Sequence, residues 1–362
     1  MKDGLMNRVR VKVLRNAIIS CIFIALGGVP FSQSKVVTLP AIPDTISWGY
    51  YDAARAPVLR IKSGDIVKIE TLSTPPSLLR EAGLKEEDIP LALIEVDQKV
   101  TDRGPGAHLL TGPIWVEEAE PGDTLQIEIL SIRLNAPFAF NAFVPGQGLL
   151  PGEYPYQKLR VIPLDLERKV ALFTDEIEIP LRPFWGSIGV APPSFSGRIS
   201  SGPPWIHGGN MDNKELTEGS TLYLAVHVPG ALLSLGDGHA AQGNGEVDLT
   251  ALETALSGHI RVTVRKDLRM VKWPRAETAT HYLTMGFHEN LEEATKIAVR
   301  EMIDFLVKDK GLDRDTAYML CSIAVDLEIT QVVDGRQGAH CMLPKAIFIP
   351  ASPSSVERRL AR

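Results

Sequence analysis

Cysteine is almost missing from this chain. Three residues in 362 exclude a disulfide-built scaffold, and no two of them stand at the spacing of a cysteine zinc site. Long apolar runs are missing too: the most extended, NAIISCIFIALGGV at residues 16–29, falls short of the about 20 residues a membrane-spanning helix needs. No G-x-S-x-G elbow occurs, and VPGQGLLPGEYP at residues 144–155 lacks the Lys-Ser/Thr of a phosphate loop, so a serine or cysteine nucleophile and a nucleotide site are both unsupported. An excess of positive charge is also absent. The net charge of −6 argues against nucleic acid and anionic membrane surfaces as partners.

What is present is the composition of a globular protein, with 44% hydrophobic and 23% charged residues. Twenty-six prolines and thirty glycines favour many short elements joined by tight turns, which leans towards β structure. The first 34 residues stand apart: a basic stretch, MKDGLMNRVRVKVLR, runs into the apolar one and then into PFSQS with its small residues. This reads as a cleavable signal sequence and predicts an exported protein, periplasmic or secreted, with no membrane association after cleavage. The segment carries five basic residues and one acidic, so the mature chain moves from −6 to −10.

Three stretches, SGDIVKIE (63–70), PGDTLQIEIL (121–130) and EGSTLYLAVHV (218–228), each place a glycine turn before period-two alternation. In the second, Leu125, Ile127 and Ile129 share one face of a predicted strand. The expected fold class is mainly β, sandwich-like or barrel-like, over residues 35–284 in two subdomains. An α/β region over 285–350 and a polar tail at 351–362 follow. In that region Leu291, Ala294, Ala298, Met302 and Phe305 recur at helical spacing up to Gly311, a second helix begins near Asp313, and a final strand pair closes the chain. Of the two cysteines in the mature part, Cys321 reads as a buried small hydrophobe.

Two polar islands interrupt the strands. GDGHAAQGNGEVD at 236–248 follows the apolar VPGALLSL, and HGGNMDNKEL at 207–216 lies one strand upstream. Glycine lets a chain turn sharply, so GDGH and GNGE read as two turns aiming Asp237, His239 and Glu246 at one point. Carboxylate with imidazole suits a first-row metal such as zinc, iron or manganese. Taken alone, each island reads first as a structural or surface loop, and His207, Asn210, Asp212 and Lys214 become possible partners only if the two meet. His108, in GPGAHLLTGP, is a weaker candidate.

The stretches TGPIWVEEAEPGDTLQIEIL, PFWGSIGVAP, GGNMDNKELTEGSTLYLAVHVPGALLSLGDGHAAQGNGEV and LCSIAVDLEITQVVDG resemble the acetamidase/formamidase family, over about residues 45–348. The resemblance implies a mainly β fold, hydrolysis of short amides to carboxylate and ammonia, and a homo-oligomer. It carries over to Asn210, Asp212, Asp237, His239, Gln242 and Glu246, with His207 a looser match. One departure is Asn244, where the family's second glycine turn commonly has aspartate. The mechanism expected from these residues uses metal-activated water, zinc being the first choice. Asp237, His239 and Asp212 hold the metal, Glu246 relays the proton, and Asn210 or Lys214 polarises the carbonyl. Two alternatives stay open: a metal-free route in which Glu246 activates water while His239 and Lys214 stabilise the oxyanion, and a non-catalytic β-sandwich protein binding a small polar ligand or a metal.

Overall fold

The computed structural model of the chain describes residues 35–349, apart from Thr74 and Arg269. The signal sequence expected at 1–34 and the polar tail at 351–362 lie outside the described residues.

The alternation read from TLQIEIL becomes strand Thr124–Leu134, whose Leu125, Ile127 and Ile129 are fully buried. This strand lies between Leu256–Arg265 and Thr221–Ala225 in a nine-stranded sheet. A six-stranded sheet contains, in spatial order, Gly208–Asn210, Phe184–Gly189, Leu233–His239, Leu109–Val116 and Ile46–Trp48, with Leu59–Ile61 beside Leu109–Val116. One apolar cluster draws Leu125, Ile127 and Ile260 from the first sheet and Ile114, Trp185, Ile188 and Leu235 from the second. The two sheets therefore form a sandwich around a shared core. Trp185 ties them together, its indole Nε1–H donating to Thr71 Oγ1 across the core at 3.0 Å.

The C-terminal helices and strand pair take the places expected. Helix Leu291–Lys310 begins at Asn290, whose side chain accepts the Glu293 N–H, and stops at Gly311 in the left-handed conformation. Its Ala298, Met302 and Phe305 pack with Cys341 and Leu343, beside helix Arg314–Ala324 and its Cys321. Strands His281–His288, Gln337–Pro344 and Asp326–Gln331 form one end of the nine-stranded sheet. The sheet thus runs unbroken from the N-terminal half into this region, and residue 284 falls inside one of its strands. Two short helices, Pro76–Glu81 and Leu91–Lys99, were not anticipated; they pack with Trp48 and Phe140 in a satellite cluster.

The reading of GDGH as a turn requires correction. Residues 236–239 are the end of strand Leu233–His239, hydrogen-bonded to Phe184–Gly189 with His239 opposite Phe184 and Gly236 opposite Ser187. GGN is likewise a strand, Gly208–Asn210 pairing with the other edge of Phe184–Gly189. The two polar islands are brought together by a shared partner strand rather than by two hairpin tips.

Candidate active site

Gly186 sits between the two islands. A Cβ placed there would come within 2.3 Å of Asp237 Oδ2, 2.4 Å of Asp212 Oδ1 and 2.8 Å of His239 Cε1. Only glycine leaves these three side chains room to approach one another. Asp212, Asp237 and Glu246 all take left-handed backbone angles, with φ of 51°, 58° and 44°. That conformation is uncommon outside glycine, and strain of this kind concentrates at functional sites.

His239 is the centre of the cluster. Its Nδ1 lies 2.9 Å from Gln242 Oε1, and Gln242 Nε2 donates to the Asp212 carbonyl oxygen at 2.8 Å. A carbonyl oxygen can only accept, so the amide nitrogen must face Asp212 and the amide oxygen must face the ring. Nδ1 therefore carries the proton, and Nε2 is directed at the acids. Nε2 lies 3.2 Å from both Asp237 Oδ2 and Glu253 Oε1. Two overlapping groups, Asp212–His239–Glu246 and Asp237–His239–Glu253, each hold their ligand atoms within 4.8 Å of one another. Asn210 is locked beside them, accepting from Ser187 Oγ at 3.0 Å and donating to Asp212 Oδ2 at 2.8 Å.

Five carboxyl groups, those of Asp212, Asp237, Glu246, Glu253 and Asp334, are buried around this one imidazole or influence its charge. Burial, reinforced by the charges of Glu246 and Asp334, pushes the Asp212 pKa well above the ordinary carboxylate value. Burial and the neighbouring Asp334 do the same to Glu246, and burial lifts Glu253 as well. Asp334 rises to about 6, again through burial. At Asp237 burial also acts upward, but the His239 and His108 imidazoles prevail and its pKa falls. Burial would strip the charge from His239, yet Glu253 and Asp237 hold it there and the pKa rises well above the usual histidine value.

Among the described residues, Asp212 Oδ1, His239 Nε2, Glu246 Oε2 and Asp334 Oδ2 are buried without a directed hydrogen bond. Buried polar atoms of this sort are costly unless something else meets them. All four are atom types that ligate a divalent ion, and one nitrogen among oxygens suits zinc, manganese or iron. The residues present thus fit a cation.

The cluster opens into a cavity of about 530 Å³, whose lining includes Asn210, Asp237, Glu246, Glu253, Asp334 and His108. His108 Nδ1 is fixed 2.8 Å from Ser201 Oγ. Lys214 is placed elsewhere: its Nζ lies 3.9 Å from Glu215 Oε1, and it lines a neighbouring cavity that reaches this one only at Glu246 and Thr250. His207 is buried edge-on against Tyr51, ring centroids 4.8 Å apart, and belongs to neither ligand group. Glu253 and Asp334 were missed in the sequence, the first standing in the apolar TALETAL and the second in a turn after a strand. The loop carrying Glu246 is pinned by its neighbour: Gly245 N–H donates to Thr330 O at 3.0 Å, and Val332 N–H donates to Gly245 O at 3.1 Å.

The profile of the Acetamidase/Formamidase family matches residues 53–195 and 198–350. The chain belongs to this family. A solved structure of a predicted acetamidase/formamidase from Thermoanaerobacter tengcongensis superposes with a TM-score of 0.76 at 31% identity, covering 87% of this chain and 97% of that one. A formamidase of Methylophilus methylotrophus is 30% identical over 218 residues, 44% of this chain and 52% of its own length. An acetamidase of Mycolicibacterium smegmatis is 33% identical over 210 residues, 42% of this chain and 52% of its own. The matched stretch thus spans about half the length of these two curated relatives.

Proposed function

We propose that this chain hydrolyses amides to a carboxylate and ammonia at the His239 cluster, with a divalent ion, zinc by first choice, held by Asp212, Asp237 and His239 together with Glu253. The observation that carries this reading is the convergence of buried ligand atoms on His239, beside a cavity of about 530 Å³ that Asp237, Glu246, Glu253 and Asp334 line. Family membership and the formamidase and acetamidase names of the relatives support the reaction type.

When bound, such an ion polarises the amide carbonyl and lowers the pKa of water towards about 7. The remaining work falls to the side chains. Gln242 holds the His239 ring with its proton on Nδ1. Glu246, whose pKa is raised by burial, is suited to take a proton at Oε2 from the attacking water and pass it to the amide nitrogen. The water oxygen bonds to the carbonyl carbon, the C–N bond breaks, and the nitrogen leaves as ammonia. Asn210, anchored through Ser187 and Asp212, has a second Nδ2 hydrogen for the carbonyl oxygen. Lys214, paired with Glu215, has no part in this scheme.

The basic and apolar segment at residues 1–34 supports an exported enzyme, a reading checked by N-terminal sequencing of the protein recovered from the producing cells. The deciding experiment on the reaction measures bound metal and ammonia release from formamide and acetamide by the purified full chain. Release that stops on chelation and returns with zinc supports the reading. A folded, metal-loaded chain that releases no ammonia refutes it, and release indifferent to chelation leaves the metal-free route with Glu246 as base.

A further inference from the structure

The cavity lined by Asp237, Glu246, Glu253 and Asp334 is much larger than a one- or two-carbon amide requires. At about 530 Å³ it lies within the roughly 300–1,000 Å³ range of pockets that hold drug-sized ligands. Its lining combines the polar Asn210, Asp237, Glu246, Glu253 and Asp334 with the apolar Leu78, Leu109, Phe140, Val144, Leu249 and Val333.

A smaller, more apolar cavity adjoins it at Gln147. Gln147 lines this cavity and also a second one of about 250 Å³, formed with Phe143, Leu150, Tyr154 and Val247. Phe143 packs edge-on against Tyr154 and Tyr156, with ring centroids 5.3 and 5.4 Å apart. Leu150, Tyr154 and Val247 remain 49%, 44% and 56% exposed, an apolar surface whose desolvation is open to a ligand. The wall is also built into the site. Leu149 N–H donates to Val247 O at 2.8 Å, one residue beyond Glu246. Gly148, at φ 79°, lies so close to the Asp248 carbonyl that an added Cβ would be 3.1 Å from its oxygen.

From this arrangement we infer that the enzyme takes primary amides with a large apolar or aromatic acyl group, the amide head at His239 and the acyl group running past Gln147 to Phe143, Leu150 and Tyr154. The inference rests on the amidase reading and extends it from short amides to a substrate class. The acids gathered around His239 receive a small CONH₂ head, and the apolar residues on the Gln147 side accommodate one tail. Formamide and acetamide, lacking a tail, leave the walls and the second cavity unused.

The test uses the full chain and two readouts, calorimetric affinity and ammonia release, with phenylacetamide and acetamide as probes. The native chain is expected to bind phenylacetamide at least tenfold more tightly than acetamide. The double variant Leu150→Ser/Tyr154→Ser, altered at partly exposed positions that leave the core untouched, should reduce that preference at least fivefold, chiefly through KM. Equal affinity for the two amides, or an unchanged preference in the variant, overturns the inference. Tight phenylacetamide binding without ammonia release supports the apolar-tail site and instead overturns the amidase reading, so the two fail separately.

Discussion

Gln242 fixes the proton of His239: its Oε1 lies 2.9 Å from the ring Nδ1 while its Nε2 donates to the Asp212 carbonyl at 2.8 Å. One side chain thereby couples the imidazole of the first polar stretch to the backbone of the second. It also determines which ring nitrogen faces the acids.

Gln242→Leu removes that orientation without removing a ligand. Loss of an outer hydrogen-bond partner of a metal-binding histidine typically weakens metal affinity 10–100-fold. Competition with a chromophoric chelator should show zinc binding weakened within that range, with the melting temperature little changed. An affinity equal to that of the native chain would mean that the ring is held by its other contacts, the edge-on Phe184 ring 4.9 Å away and the acids at Nε2.

Gly186→Ala introduces a Cβ into space bounded by Asp237 Oδ2 and Asp212 Oδ1. The carboxylates must separate, and both bound metal and amide turnover should fall by at least about 100-fold, the scale at which small misplacements at a reacting centre act. Metal content and ammonia release check this. Native-like turnover would show that the acids need not converge.

Glu246→Gln keeps the shape of the side chain but removes proton transfer at Oε2. Positioned acid–base groups contribute about 10²–10⁴-fold, and kcat should drop by that amount while zinc content and KM hold. A loss of zinc along with kcat would place Glu246 among the ligands, as its grouping with Asp212 and His239 permits.

His207 and His340 each weaken the folded state as pH falls. Burial lowers their pKa values from 6.5 to about 3 and about 4, so in the folded chain both stay neutral where the unfolded chain is protonated. The unfolded state therefore binds more protons below pH 6.5, and stability falls as pH falls from there towards the folded values. At about pH 5 each ring accounts for a loss of about 2 kcal/mol. The raised carboxyls around His239 act in the opposite direction, so the ring's share is read by comparison: between pH 8 and 5 the denaturant midpoint of His340→Gln should fall less than that of the native chain. Identical profiles for the two would mean that water solvates the ring in the folded chain.

Much of the sandwich could be read from short-range pattern, since Leu125, Ile127 and Ile129 alternate and the Asn290 and Gly311 caps are local signals. Asn210, Asp212, Asp237, His239 and Glu246 were legible for a related reason: acids and amides among glycines stand out against apolar strands. Pairing across long separations was not legible. GDGH is a strand because Phe184–Gly189, about fifty residues earlier, supplies its hydrogen bonds. Glu253 reaches His239 because its backbone pairs with Phe140, donating and accepting at 2.8 and 3.0 Å, a register that nothing in TALETAL announces. For Lys214, proximity in sequence gave no direction: its Nζ lies 3.9 Å from Glu215 Oε1, and it lines the neighbouring cavity that shares Glu246 with the first.

The backbone bonds between Gly245 and the Thr330–Val332 segment make the end of strand Asp326–Gln331 and the turn after it a working part of the pocket rather than an ornament beside it. Damage to the two long helices, or to the strands they cover, should silence the enzyme at temperatures where the sandwich still stands, because Glu246 loses its anchor and Asp334 its place together.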